Sequence, residues 1–182
     1  SLVIPGAIAE AVGAGITATG AFLIASDANG FNNASQAMRD ARMFDEDSLS
    51  YKIRNAGDDI LDVSETGKGH TLEKHVSQTN EELIRRANKE NVEAATSYTD
   101  KSTAVKAVKQ NLRKNTNQVV EWLNSTSQNP LTIQGKHNFS IGKGVVKGRK
   151  NVIYDLSDSV AVLIKDSTNE LGFIILTSYP IV

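Results

Sequence analysis

GHTLEKHVSQTNEELIRRA, Gly69 to Ala87, sets a lone histidine, a helix start and an arginine pair within a few turns of one another. His75 closes a short amphipathic segment. Thr79 with Glu82 then reads as a capping box, in which two side chains satisfy the free amides that open the next helix. The chain is therefore expected to bend near Ser77 and Gln78. On one unbroken helix His75 and Arg86 would share a face but sit roughly 16 Å apart, too far to act on a single small group. A bend lets an imidazole and a guanidinium converge.

Working outward, 182 residues with 40% hydrophobic content allow one fair-sized core plus a smaller module. The absence of cysteine rules out a disulfide framework and a thiolate zinc site, and suits a reducing compartment. The chain starts at Ser1 and no basic stretch precedes its first apolar run, so it reads as a piece of a longer polypeptide rather than one with a secretory signal. Charge is uneven: Ser1 to Thr66 holds four basic and ten acidic residues, and the remainder sixteen basic and eleven acidic. A basic module suits a polyanion, because each neutralised phosphate releases counterions.

Ala11 to Ser26 is a run of 16 uncharged residues, short of the roughly 20 that span hydrocarbon as a helix. The small residues Ala9, Gly13, Ala14 and Ala18 of the wider Gly- and Ala-rich stretch Ala7 to Ser26 suit close helix packing, either on the next helix, Asn33 to Met43, or against a membrane partner. An acidic, turn-rich linker is expected over Asp45 to Gly67. Helices are expected at Thr71 to Val76, Asn80 to Asn88, Lys101 to Lys114 and Asn117 to Ser125, with apolar residues at helical spacing in the last two. Strands are expected at Val152 to Tyr154, Ser159 to Lys165 and Leu171 to Thr177, the last two forming a hairpin across Asp166 to Glu170. Helices first and strands later give an α+β fold with an antiparallel sheet. No internal repeat or low-complexity tract interrupts it.

His70, His75 and His137 are the three histidines, and their spacing matches no metal-ligand pattern. His70 and His75 would lie about 140° apart around a helix. Taken singly, each reads by default as a surface or hydrogen-bonded structural residue. In LGFIILTSYPIV, the polar set Thr177, Ser178 and Tyr179 interrupts a buried run just before Pro180, which is expected to end pairing. Thr177 and Tyr179 leave the same face, and either orient a phosphate or emerge into solvent. GKGVVKGRK, Gly142 to Lys150, lacks the nucleotide-binding loop signature. It reads as a flexible basic loop in which Lys143, Lys147, Arg149 and Lys150 contact a phosphate backbone, or as a solvated turn.

Taken together, GHTLEKHV, the ELIRRA helix, the helix ending in VVEWLN and the terminal strand with Thr177 and Tyr179 resemble the bacterial ribonuclease A-like toxin domain at the C-termini of contact-dependent growth inhibition proteins. The resemblance covers Gly67 to Val182. It implies the kidney-like pancreatic ribonuclease fold without disulfides, and a site of His75, Arg86, Thr177 and Tyr179, with Arg85 adjacent to the arginine position. TSYP supplies no second catalytic histidine, so the two-histidine scheme does not transfer. The resemblance further implies that Ser1 to Thr66 is a delivery segment using an inner-membrane receptor of the target cell. The toxin would be presented at the surface or secreted within a larger protein and act in the neighbour's cytoplasm, while a cognate immunity protein blocks its site in the producer.

Metal-independent RNA cleavage, which needs no cofactor, uses the substrate's own 2′-hydroxyl, so DNA is not an expected substrate. A base removes the hydroxyl proton, the oxygen attacks phosphorus, a cation steadies the added charge, and an acid protonates the departing 5′-oxygen. Histidine suits the proton transfer, which falls to His75. Arg86 would clamp two phosphate oxygens. Thr177 would hydrogen-bond the phosphate or base. Tyr179 would position the phosphate or donate a proton, although a phenol near pKa 10 is a reluctant acid; the acid stays open. Two other classes fit the same residues: a pore-forming toxin resting on Ala7 to Ser26, and a non-catalytic RNA-binding or interaction module.

Overall fold

The computed structural model describes residues 36–38 and 48–182. The chain divides into two units, Ser1–Arg42 and Met43–Val182. Residues 36–38 of the first are helical; the segment Ala7 to Ser26 and most of the helix expected at Asn33 to Met43 lie outside the described residues.

In the second unit Ser48 caps α1 (Leu49–Arg54), its hydroxyl accepting a hydrogen bond from Tyr51 N–H at 3.2 Å, and α2 (Ile60–Glu65) comes next. From Ser48 onward, then, the expected acidic linker is corrected to two helices. Ile53, Ala56, Ile60 and Leu61 interrupt the polar sequence at positions that a turn brings onto one side, and all four are buried in the main core. The acidic residues stay outside. Asp62 pairs with Lys101 at 2.6 Å and Asp58 with Lys109, both lysines on a later helix. Ile53→Ala is accordingly expected to lower stability by about 2–5 kcal/mol, read from the urea midpoint; a linker residue would leave that midpoint unmoved.

Gly69 brings the chain hard against α2. A Cβ there would lie 2.6 Å from Ser64 O and 2.9 Å from Ile175 O. The next residues dock on the terminal strand: His70 N–H donates to Leu176 O at 3.1 Å, and Thr71 Oγ1 accepts from Ser178 N–H at 2.9 Å. α3 (Thr71–His75) starts from this anchor. The expected bend is present at Ser77, whose φ of 55° lies in the left-handed region and whose N–H donates to Tyr98 O at 3.1 Å. Thr79 then caps α4 (Asn80–Lys89), accepting from Glu82 N–H at 3.2 Å. Only half of the capping box forms, because the Glu82 carboxylate accepts from Arg85 at 2.7 and 2.8 Å instead.

β1 (Ala94–Tyr98) leads to α5 (Lys101–Lys114), capped by Asp100, and α6 (Thr116–Asn124). β2 (Leu131–Lys136), β3 (Gly142–Val146), β4 (Ile153–Leu156), β5 (Asp158–Lys165) and β6 (Phe173–Ile181) complete the order. They form two antiparallel three-stranded sheets, β1-β3-β4 and β2-β5-β6. The fold is α+β, with the expected hairpin joining β5 to β6. Val105, Val108 and Leu112 of α5 and Val119 and Trp122 of α6 share one core with Ile133, Leu163, Phe173 and Ile175 of the second sheet. Burial of these side chains removes apolar surface from water and supplies the main driving force of folding. A buried hydrogen bond of 2.7 Å between Tyr98 Oη and Ser178 Oγ ties β1 to β6.

Two further expectations are corrected. Gly142 to Lys150 is not one loop: its first five residues are β3, paired along β1, and the turn is confined to Lys147 and Gly148. Gly142 serves close approach here, since a Cβ would collide with Ser97 O. Pro180 does not end pairing either, because β6 continues to Ile181 with Pro180 opposite Ser159. β6 is an edge strand of its sheet, where a residue without an N–H is tolerated.

Candidate active site

Residues from α3, α4, β1 and β6 enclose a cleft of about 1180 Å³. His75, Arg86, Thr177 and Tyr179 all line it, as do His70 and Thr96. The anchor at Gly69 and the left-handed turn at Ser77 make this possible, since they hold α3 against β1 and β6 and turn α4 back toward it.

His75 is the last residue of α3. Its Nδ1 lies 3.3 Å from Thr96 O. A carbonyl only accepts, so this contact places the ring hydrogen on Nδ1 and leaves Nε2 with the free lone pair. Burial drives the imidazole pKa down from 6.5 to about 4, and the nearby charges of Arg86, His70 and Lys74 push the same way against the Thr96 carbonyl. At neutral pH the ring is an uncharged base. The Tyr179 ring lies against it, 5.0 Å between centroids and tilted by 33°.

Arg86 is buried, and its partners hold it in place. Nη1 donates to Lys74 O at 2.6 Å, securing the end of α3, and Nε pairs with Glu90 at 3.2 Å. Arg85, its neighbour, is exposed, pairs with Glu82 and Glu90, and does not line the cleft. Thr177 supplies the other unusual feature: its Oγ1 is buried with no hydrogen-bond partner among the described residues. A hydroxyl kept from water without a partner is costly, and an acceptor entering the cleft would relieve that cost.

The four basic residues singled out in sequence stand apart from this cleft. Lys143 on β3 donates to Asn80 Oδ1 at 2.6 Å, Lys147 contacts Asn91 at 3.2 Å and Glu93 at 3.6 Å, and Arg149 and Lys150 are exposed after the turn. His137 is buried between Gln110 and Ser159, at 2.6 and 2.8 Å, which makes it a structural histidine. The cleft residue to which sequence reasoning assigned no catalytic part is His70, weighed only as a metal ligand or a structural residue. Among the described residues no group of three or more metal-ligating side chains gathers.

Helices followed by two antiparallel sheets, with no cysteine to cross-link them, make this a disulfide-free ribonuclease A-like domain of α+β class. The model of the bacterial CdiA-CT RNase A domain matches residues 69–180, and the chain belongs to that family. A solved structure of a CdiA-CT/CdiI complex from Y. kristensenii 33638 contains a similar chain, 29% identical, with a TM-score of 0.59; the match covers 63% of this chain and 100% of that one. No curated protein matches.

Proposed function

We propose that this chain is the toxin region of a contact-dependent growth inhibition protein and that it arrests neighbouring bacteria by cleaving RNA without a metal ion, through a 2′,3′-cyclic phosphate. The observation that carries the reading is convergence. A neutral imidazole, a buried guanidinium, an unpartnered hydroxyl and a phenol reach one cleft from three separate elements. His75 Nε2 would take the 2′-hydroxyl proton. Arg86, fixed through Nη1 and Nε, would present the rest of its fork to the phosphate. Thr177 Oγ1 would donate to a phosphate oxygen or a base, and the Tyr179 hydroxyl would orient the phosphate. Lys143, Lys147, Arg149 and Lys150 would act as distant contacts to the RNA backbone, adding salt-sensitive affinity rather than chemistry.

The Y. kristensenii relative is seen in a complex with CdiI, and a cognate immunity protein that covers the cleft is the corresponding partner here. Of residues 1–66, the first unit, Ser1–Arg42, would serve delivery from a larger surface-presented protein into the target cytoplasm, while α1 and α2 belong to the core of the second. Among the described residues no helix is long and apolar enough to cross a membrane.

The test is incubation of the chain with total RNA in excess chelator. Cleavage with 2′,3′-cyclic phosphate ends is expected. Intact RNA in chelator and cleavage on adding a divalent cation would overturn the metal-free mechanism. RNA bound but never cut would favour a non-catalytic module.

A further inference from the structure

The cleft holds a second imidazole. His70 occupies the N-cap position of α3, where a side chain ordinarily accepts hydrogen bonds from the first helix amides, yet it makes no such bond. Glu65 from α2 does that work, accepting from Leu72 N–H at 2.7 Å. The His70 ring is thereby released from capping. Its backbone is nonetheless fixed, by the bond to Leu176 O at 3.1 Å and by Gly69, where any side chain would strike Ser64 and Ile175. The ring lines the cleft with its centroid 6.5 Å from that of His75, tilted by 40°.

We propose that His70 is a second proton-transfer group of this site, the acid that protonates the leaving 5′-oxygen when RNA is cleaved. The inference rests on the ribonuclease reading above. Two hydrogen bonds of about 2.8 Å to different oxygens on one phosphorus bridge a gap of the size seen between the rings. Tyr179 is placed less well for the task, because its ring packs directly on His75 at 5.0 Å, and a phenol is a weaker acid than an imidazolium. His75 Nε2 takes the 2′-hydroxyl proton as the 2′-oxygen bonds to phosphorus. The bond from phosphorus to the 5′-oxygen breaks, its electron pair goes to that oxygen, and the His70 imidazolium supplies the proton. The products are a 2′,3′-cyclic phosphate and a 5′-hydroxyl, with His75 one proton richer and His70 one poorer until solvent restores both.

A leaving group that needs no proton separates this role from a structural one. The full chain and its His70→Gln and His70→Asn variants are assayed on a ribodinucleotide and on the matching nucleoside 3′-(4-nitrophenyl phosphate). Both variants are expected to lose about 10²–10⁴-fold on the dinucleotide and less than about tenfold on the aryl ester, whereas His75→Gln loses heavily on both. Equal losses on the two substrates, or no loss on either, would overturn the acid role. Wild-type protein inert on both would remove the nuclease reading itself, and the role of His70 with it.

Discussion

His75→Gln is expected to lower RNA cleavage by about 10²–10⁴-fold while making the protein more resistant to acid. The first effect follows from removing a neutral base whose lone pair at Nε2 is free once Nδ1 is engaged with Thr96 O. Glutamine keeps a donor for that carbonyl but cannot accept a proton. The second effect comes from linkage. His75 titrates near 4 when folded, against 6.5 in the open chain, so between those values the unfolded state binds a proton that the folded state refuses. Stability must then fall as pH drops through that window and be indifferent to this residue above it. The size is on the order of 3 kcal/mol at most. His137, whose pKa burial also depresses, adds a slope of the same sign, so the informative quantity is the difference between wild type and variant. Urea unfolding at pH 7.5 and pH 5 should show a larger loss on acidification for wild type than for His75→Gln. Parallel losses would mean that the His75 ring is not held in its neutral form by the fold.

The same burial shapes the kinetics. The acid limb of kcat/KM reports the free enzyme and should lie near pH 4 to 5, while that of kcat should sit higher, because a bound phosphate favours the imidazolium.

Helices with regular apolar spacing were open to reading from sequence. Lys101–Lys114 begins and ends as expected, because Val105, Val108 and Leu112 repeat at helical period and Asp100 offers a cap. The bend at Ser77 was legible because Thr79 marks a helix start with no room for a longer connection. What stayed hidden depends on partners distant in the chain. Ala94–Tyr98 reads AATSY, four short side chains before Tyr98 with no alternation, and pairs as a strand where Gly142 and Gly144 let β3 come close to it. Ile53 lies between Lys52 and Arg54 and Leu61 among aspartates, charges that make the segment look solvated, and their burial is decided by the core formed with Val119, Phe173 and Ile175. Within the site, His75 and Tyr179 were linked by a family resemblance, not by spacing, since nothing local indicates that residues 75 and 179 meet. The geometry of a continuous helix sets His70 aside, although it precedes the first turn and its backbone is placed by the bond to β6.

Arg86→Ala is expected to reduce cleavage by about 10²–10³-fold, the loss typical of removing one donor aimed at transition-state charge, and to cost about 1–3 kcal/mol of stability. The two losses have different origins, which further variants separate. The bond from Nη1 to Lys74 O at 2.6 Å closes α3 on α4, and its loss leaves a part-buried carbonyl without its donor. The pair with Glu90 adds less, because that carboxylate is partly exposed and solvent screens it. Arg86→Lys retains a positive charge, but its three donors sit on one nitrogen and lack the spread of the guanidinium fork that reaches the Lys74 carbonyl with one arm and a phosphate with the other. It should recover part of the stability and little of the activity. Arg85→Ala removes an exposed cation of equal charge one residue away, outside the cleft, and should stay within a few-fold of wild type on RNA. Urea midpoints establish where each variant is fully folded, and initial rates under those conditions then measure the chemistry alone. If Arg85→Ala and Arg86→Ala fell equally, long-range attraction of the polyanion would account for the arginine effect. If Arg86→Lys cleaved RNA at the wild-type rate, the planar fork would have no special part in holding the phosphate.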